Sequence, residues 1–140
     1  MNAVISITGM QSGESGDSDI IELMTDGEYR HSGDESYIEY YESEITGLEG
    51  TKTSVSITPG QVILERSGNL VSRMVFREGE KNRFLYDTRF GAATMGVDTR
   101  RIDARFDENG GELCVDYVVD MEHAAIGRNK IRMSVKKAGS

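Results

Sequence analysis

Apolar and polar residues alternate with a period of two through most of this sequence, and this pattern constrains the fold more than any other feature. The clearest case runs from Leu113 to Met121, where every second residue is apolar or aromatic, while Asp116 and Asp120 have the other parity. A period of two is typical of a β-strand with one face in a core and the other in water. The same pattern recurs in about eight to ten short segments, and it predicts an all-β protein.

The connections between these segments are short, and many contain glycine, such as Pro59-Gly60 and Gly110-Gly111. Strands joined by short turns are usually neighbours in the sheet as well as in sequence. A meander of this kind removes its exposed edges when it closes on itself. We therefore expect residues 1–140 to form one domain, a single antiparallel meander β-barrel of about eight to ten strands, in preference to a sandwich.

Four segments depart from the simple alternation. Residues 11–19 are polar and glycine-rich, which predicts a mobile acidic loop, and residues 136–140 are expected to form a short C-terminal tail. The parity of the apolar residues changes near Arg100-Arg101, which predicts a β-bulge. Glu122 to Lys130 shows no clear period, and both a short helical turn around His123-Ala124-Ala125 and a wide loop remain open.

The net charge of −8 is unevenly distributed along the chain. Residues 1–50 contain twelve acidic residues and one basic residue, whereas residues 51–140 contain twelve acidic and fifteen basic residues. Acidic loops on a barrel explain this distribution most simply, and an acidic docking surface is the alternative. Nucleic-acid binding is not expected, because neutralising phosphates requires a clustered basic face.

Cysteine content and apolar runs indicate the cellular environment. The single cysteine, Cys114, rules out an internal disulfide or a multi-cysteine metal site and favours a reducing compartment. The first residues, Met1 to Ile7, lack the basic start of a signal peptide, and no apolar run approaches the roughly 18 residues of a spanning helix. We expect a soluble cytoplasmic protein without membrane insertion.

Catalytic motifs are not recognisable in this sequence. His31 and His123 have no spacing typical of a metal site, and we expect both to lie on the surface. Neither a nucleophile motif nor a phosphate-binding loop occurs. We therefore expect no cofactor, no metal and a function that is not enzymatic.

A series of short motifs between about residues 20 and 135 resembles the YwiB-like family of small bacterial proteins of unassigned function. The motifs are Tyr40–Glu44, Gly47–Thr51, Arg66–Gly68, Met74–Phe76, Tyr86–Gly91, Thr99, Gly110-Gly111 and Tyr117. The resemblance implies a calycin-like β-barrel, related in shape to lipocalins and fatty-acid-binding proteins. It implies no catalytic residue.

Several polar side chains share parity with the apolar face and should therefore point into the barrel. We predict that Arg66, Tyr86, Thr88 and Tyr117 form a ligand-binding site. In this interpretation Arg66 binds the polar head of a ligand whose tail contacts Phe76, Met95 and Val115. The alternative is structural: Arg66 pairs with Glu42 or Glu44, and the tyrosine hydroxyls bond to the backbone.

These observations favour a cytosolic β-barrel that binds a small amphipathic or anionic ligand in its lumen. The alternative function is a protein-interaction or regulatory module that acts through its acidic face, with a homodimer as one form of it.

Overall fold

The structure is a computed structural model that describes residues 1–12, 18–43, 48–121 and 124–138. The strands are β1 (Asn2–Ser12), β2 (Ser18–Ser32), β3 (Glu35–Tyr41), β4 (Thr51–Thr58), β5 (Gln61–Gly68), β6 (Leu70–Phe76), β7 (Lys81–Thr88), β8 (Gly91–Asp107), β9 (Gly110–Met121) and β10 (Ala124–Lys137). Each strand pairs antiparallel with the next, and β1 also pairs with β10, so the sheet closes. The prediction of an all-β antiparallel barrel is confirmed, with ten strands in the described residues. Among those residues, no helix is long and apolar enough to span a membrane.

Side-chain alternation places the core inside the barrel. Along β4, Thr51, Thr53, Val55 and Ile57 are buried, and the residues between them are half-buried. Apolar side chains from every strand meet in one cluster, which includes Ile5, Leu23, Ile38, Val55, Leu64, Met74, Phe84, Val97, Val115 and Met133. Full burial of such a side chain contributes roughly 1.5–3 kcal/mol, so the lumen itself is the stabilising core.

The predicted bulge in β8 is confirmed. The register between β8 and β9 shifts between Thr99 and Arg101. Before the shift the odd-numbered residues Val97 and Thr99 are fully buried, and after it the half-buried positions are Ile102 and Phe106. The extra residue lets one long strand keep its apolar side chains inside on both sides of the bulge.

The prediction of a loop over residues 11–19 is wrong at both ends of this range. Gln11 and Ser12 belong to β1, and Ser18 and Asp19 belong to β2, while residues 13–17 lie outside the described residues. The backbone ladder explains the difference, because Gln11 pairs with Asp19 on one side and with Asn129 on the other. Backbone hydrogen bonds to two neighbouring strands order a segment whose side chains are polar.

The interpretation of Glu122 to Lys130 as a helical turn or wide loop is wrong for its described part. β10 begins at Ala124, and its pairing with β9 shifts register between Ala125 and Gly127. Such an irregularity interrupts the period of two, so the sequence pattern conceals the strand. Residues 122 and 123 lie outside the described residues. The same strand continues to Lys137, so the tail also begins later than predicted.

The two ends of the barrel differ. At one end, the Tyr29 hydroxyl donates a hydrogen bond of 2.6 Å to the Asp107 carbonyl, and its ring lies 6.0 Å from that of Phe106. At the other end β2 and β3 separate: only Gly27 to Ser32 of β2 pair with β3. We call this second end the cavity end.

Gly27 lies where β2 and β3 separate, and no larger residue fits there. A Cβ atom at this position would lie 2.3 Å from the Glu39 carbonyl oxygen and 2.5 Å from Cδ1 of Ile5. Both distances are below any normal contact, and one of the atoms belongs to the backbone. The close approach of β1, β2 and β3 at this point therefore depends on glycine.

We predict that Gly27→Ala lowers the free energy of unfolding by about 1–3 kcal/mol, because the added methyl group forces the strands apart. Urea unfolding followed by circular dichroism measures the change. Gly9→Ala is the matched control, since a Cβ atom at Gly9 meets nothing within 4 Å. Equal unfolding midpoints for the two variants would contradict the prediction.

Candidate functional site

Four inward-facing polar side chains lie next to one another on neighbouring strands. Thr53 on β4 pairs with Arg66 on β5, Arg66 pairs with Ser72 on β6, and Ser72 pairs with Tyr86 on β7. Directly opposed residues on antiparallel strands have Cβ atoms about 4.5–5.5 Å apart. We call Thr53, Arg66, Ser72 and Tyr86 the polar belt. It replaces apolar packing along one wall of the lumen.

Tyr117 approaches Arg66 from β9, which is four strands from β5 around the barrel. Its ring centroid lies 4.9 Å from that of Phe76, inside the lumen. Burial raises the pKa of the Tyr117 hydroxyl to about 12, and the positive charge of Arg66 partly opposes this shift. Arg66 and Tyr117 therefore face the same interior space.

That space is a cavity of about 250 Å³ at the cavity end of the barrel. Its lining comes from β1, β2, β3, β5, β9 and β10, and from Glu42 and Leu48 between β3 and β4. Apolar walls are formed by Ile7, Ile21, Leu23, Leu64, Ile131 and Met133, and the polar groups include Asp19, Tyr40, Glu42, Arg66, Tyr117, Asn129 and Lys130. Apolar walls with a few convergent polar groups are typical of ligand sites.

Four buried side-chain polar atoms of the described residues lack a partner, and one of them belongs to Arg66 of the cavity lining. Within the part of the chain that the structure describes, Thr51 Oγ1, Arg66 Nε, Ser72 Oγ and Thr99 Oγ1 form no hydrogen bond. None of the ion pairs between described residues involves Arg66. Buried polar atoms almost always bond to protein, water, an ion or a ligand. The atoms of Arg66 and Ser72, on directly paired residues, are therefore free to bond to a water, an ion or a ligand.

Glu42 is buried but does not pair with Arg66. The residue is 8% exposed, and its Oε1 accepts a 2.7 Å hydrogen bond from the Thr53 hydroxyl. Burial first, and then the charge of Glu42, raise the pKa of the Tyr40 hydroxyl. Of the two structural partners considered for Arg66, Glu42 is bonded elsewhere, and Glu44 lies outside the described residues.

The four predicted site residues separate into two groups. Arg66 and Tyr117 line the cavity, and Tyr86 belongs to the polar belt without lining the cavity. Thr88 lies at the β7–β8 turn, where its hydroxyl donates to the Gly91 carbonyl at 3.0 Å and accepts from the Phe90 amide at 3.1 Å. These bonds give Thr88 a role in the turn and place it away from the cavity.

The apolar part of the site also differs from the prediction. Phe76, Met95 and Val115 pack in or against the core cluster, and none of them lines the cavity. Ser72 and Thr53 were not singled out in the sequence, although each shares parity with the apolar residues of its strand. Their importance follows from the cross-strand register, which a single sequence does not display.

A larger and more open cavity of about 1130 Å³ lies at the opposite end of the barrel. It is lined in part by His31, whose Nδ1 lies 2.8 Å from the Ser36 hydroxyl, and His31 is half-buried where we expected a surface position. Ser36 also contacts the Tyr29 hydroxyl at 3.4 Å. Because these polar side chains already have partners, the smaller cavity beside Arg66 is the stronger candidate site.

Comparison with known proteins identifies the family. A family model described as a domain of unknown function, DUF1934, matches residues 5–133. The chain belongs to the DUF1934 family. The uncharacterized β-barrel protein YwiB of Bacillus subtilis (strain 168) is 29% identical to this DUF1934 chain over 104 residues, which are 74% of this chain and 72% of YwiB. The predicted resemblance to the YwiB-like family is confirmed.

A solved structure supports the same assignment for the fold. The crystal structure of YwiB from Bacillus subtilis is similar to this DUF1934 protein with a TM-score of 0.87 at 22% sequence identity. The match covers 98% of this chain and 92% of the YwiB chain. The two proteins therefore share the whole barrel.

We predict that Thr53→Val lowers the free energy of unfolding by about 1–3 kcal/mol, because the buried Glu42 carboxylate loses a hydrogen-bond donor. Urea unfolding at neutral pH measures the change. Thr58→Val on the same strand is the matched control, since Thr58 is half-buried at the strand end. An equal decrease in the free energy of unfolding of both variants would contradict a stabilising role for the Thr53–Glu42 hydrogen bond.

Proposed function

We propose that this protein binds a small anionic or amphipathic molecule in the cavity beside the polar belt, with Arg66 as the anion-binding residue. The observation that carries the proposal is the buried Nε atom of Arg66, which has no hydrogen-bond partner among the described residues. A guanidinium binds carboxylate oxygens through two parallel hydrogen bonds, which suits it to this role. Ser72, which pairs directly with Arg66, offers a hydroxyl next to it.

The size of the cavity supports a compact ligand. A volume of about 250 Å³ lies just below the roughly 300–1,000 Å³ of sites for drug-sized molecules. At about 30 Å³ per water molecule it has room for about eight waters. A short metabolite fits this volume, whereas a long acyl chain does not.

The lining favours binding over catalysis. Among the described residues that line the cavity there is no histidine, serine or cysteine. The described lining therefore cannot supply a serine or cysteine nucleophile activated by a histidine base. The carboxylate of Glu42 is held by the Thr53 hydroxyl, a bond that suits a fixed binding group.

We predict that Arg66→Met weakens the binding of short-chain carboxylates by at least about tenfold, because it removes a charge-assisted hydrogen bond worth about 1.5–3 kcal/mol. Isothermal titration calorimetry with butyrate and isocaproate measures the affinity, and native mass spectrometry of gently purified protein shows any retained ligand. Arg66→Lys should recover only part of the affinity, because lysine keeps the charge without the planar fork.

Arg73→Met is the matched control for this experiment. Arg73 lies on the neighbouring strand, its side chain is 61% exposed, and it faces Glu65 at 3.6 Å outside the lumen. This variant should bind as the unmodified protein does. Equal affinity in the Arg66→Met and unmodified proteins would overturn the proposal, and so would a failure of both proteins to bind any small carboxylate, amino acids included.

A further inference from the structure

Two opposite charges face the same small cavity without neutralising each other. Arg66 and Glu42 both line it, and Glu42 is 8% exposed. No ion pair joins them among the contacts between described residues. Thr53 separates them: its hydroxyl donates to Glu42 at 2.7 Å, and its cross-strand partner is Arg66. The cavity therefore has one anionic and one cationic wall.

Each of these charges can still accept a further partner. Among the described residues, the Nε donor of Arg66 has no partner. The Glu42 carboxylate has about four lone-pair sites, and the Thr53 hydroxyl occupies one of them. A charge held away from water is costly unless it is paired and hydrogen-bonded. A ligand that reaches both walls satisfies both groups at once.

The sign of the two charges restricts the ligand further. A simple carboxylate pairs with Arg66 but brings a second negative charge close to Glu42, and like charges at short range repel more strongly where water is excluded. A simple amine meets the opposite difficulty at Arg66. A molecule that carries both a carboxylate and an ammonium group adds no net charge. Asp19 and Lys130 also line the cavity and add one further charge of each sign.

The rest of the lining is apolar. Ile7, Leu23, Leu64, Ile131 and Met133 form a wall for a short hydrocarbon group. A volume of about 250 Å³ accommodates such a group together with the two charged ends. The chemistry is that of an apolar α-amino acid or a molecule with the same charged groups.

We propose that the ligand is a small zwitterion with a short apolar side chain, bound through its carboxylate to Arg66 and through its ammonium group to Glu42. This inference rests on the proposed function, because it names the ligand class of the same cavity. It differs from that function in requiring a cation as well as an anion on the ligand.

Three probes of similar shape test the inference on the unmodified protein. Leucine carries both charged groups, isocaproate lacks the ammonium group, and isoamylamine lacks the carboxylate. Isothermal titration calorimetry should show leucine binding at least about tenfold more tightly than either analogue, as expected for loss of one charged hydrogen bond. This comparison needs no variant, so it does not depend on the folding of a mutant.

Glu42→Gln adds a second arm. This variant should bind leucine and isocaproate with similar affinity. Isocaproate should bind at least as tightly as it binds to the unmodified protein, which would also show that the variant is folded. Glu65→Gln is the matched control, since Glu65 lies on the outer face of β5 with a side chain 54% exposed. This control should keep the preference.

The contradicting outcomes separate the two proposals. Isocaproate that binds as tightly as leucine would overturn the zwitterion inference and leave the proposed function intact. Preserved leucine preference in Glu42→Gln would likewise overturn the role of Glu42. No measurable binding of leucine, isocaproate or butyrate would overturn both.

Discussion

Pairing of β1 with β10 closes the barrel, and the rest of the structure depends on this closure. The two strands pair from Ala3–Lys137 to Ser12–Arg128 without a shift of register. A closed sheet divides every strand into residues that face the lumen and residues that face outward. Any polar residue with inward parity is then forced into the core, where it must find a partner or remain costly.

The polar belt is the consequence of this constraint at one end of the lumen. Elsewhere most inward positions are filled by apolar side chains, and the opposite end is held by the bond between Tyr29 and the Asp107 carbonyl. Beside Arg66 the packing leaves a cavity, and the buried Nε atom of Arg66 has no partner in the part of the chain that the structure describes. Stability alone favours filling such a position with apolar residues. A retained arginine next to a cavity therefore fits a role in binding better than a role in packing.

Much of the fold could be predicted because the period of two is local. The parity of Val97, Val115 and Tyr117 indicated their burial in the lumen, and the change of parity near Arg100-Arg101 indicated the bulge. Cross-strand register is not local, and it decided which polar residues meet. Ser72 and Thr53 join the site through their pairing with Arg66, while Thr88 bonds within its own turn. The irregular pairing at Gly127 also depends on register, so the sequence pattern did not reveal the first half of β10.

Electrostatic pairing was the least predictable part of the site. From the sequence, Glu42 was a possible ion-pair partner for Arg66. The sequence did not show that Glu42 accepts a hydrogen bond from the Thr53 hydroxyl instead. That one hydrogen bond, 2.7 Å long, changes the interior from a neutral ion pair to two separate charged groups facing one space. The binding chemistry inferred for the cavity follows from this separation.

A crystal structure of protein purified without dialysis would show whether the cavity beside Arg66 holds a ligand. We predict a non-protein group in the cavity within hydrogen-bond distance of Arg66 Nε, with the Thr53–Glu42 bond in place. A structure in which Arg66 turns to form a direct ion pair with Glu42 and the cavity disappears would contradict it.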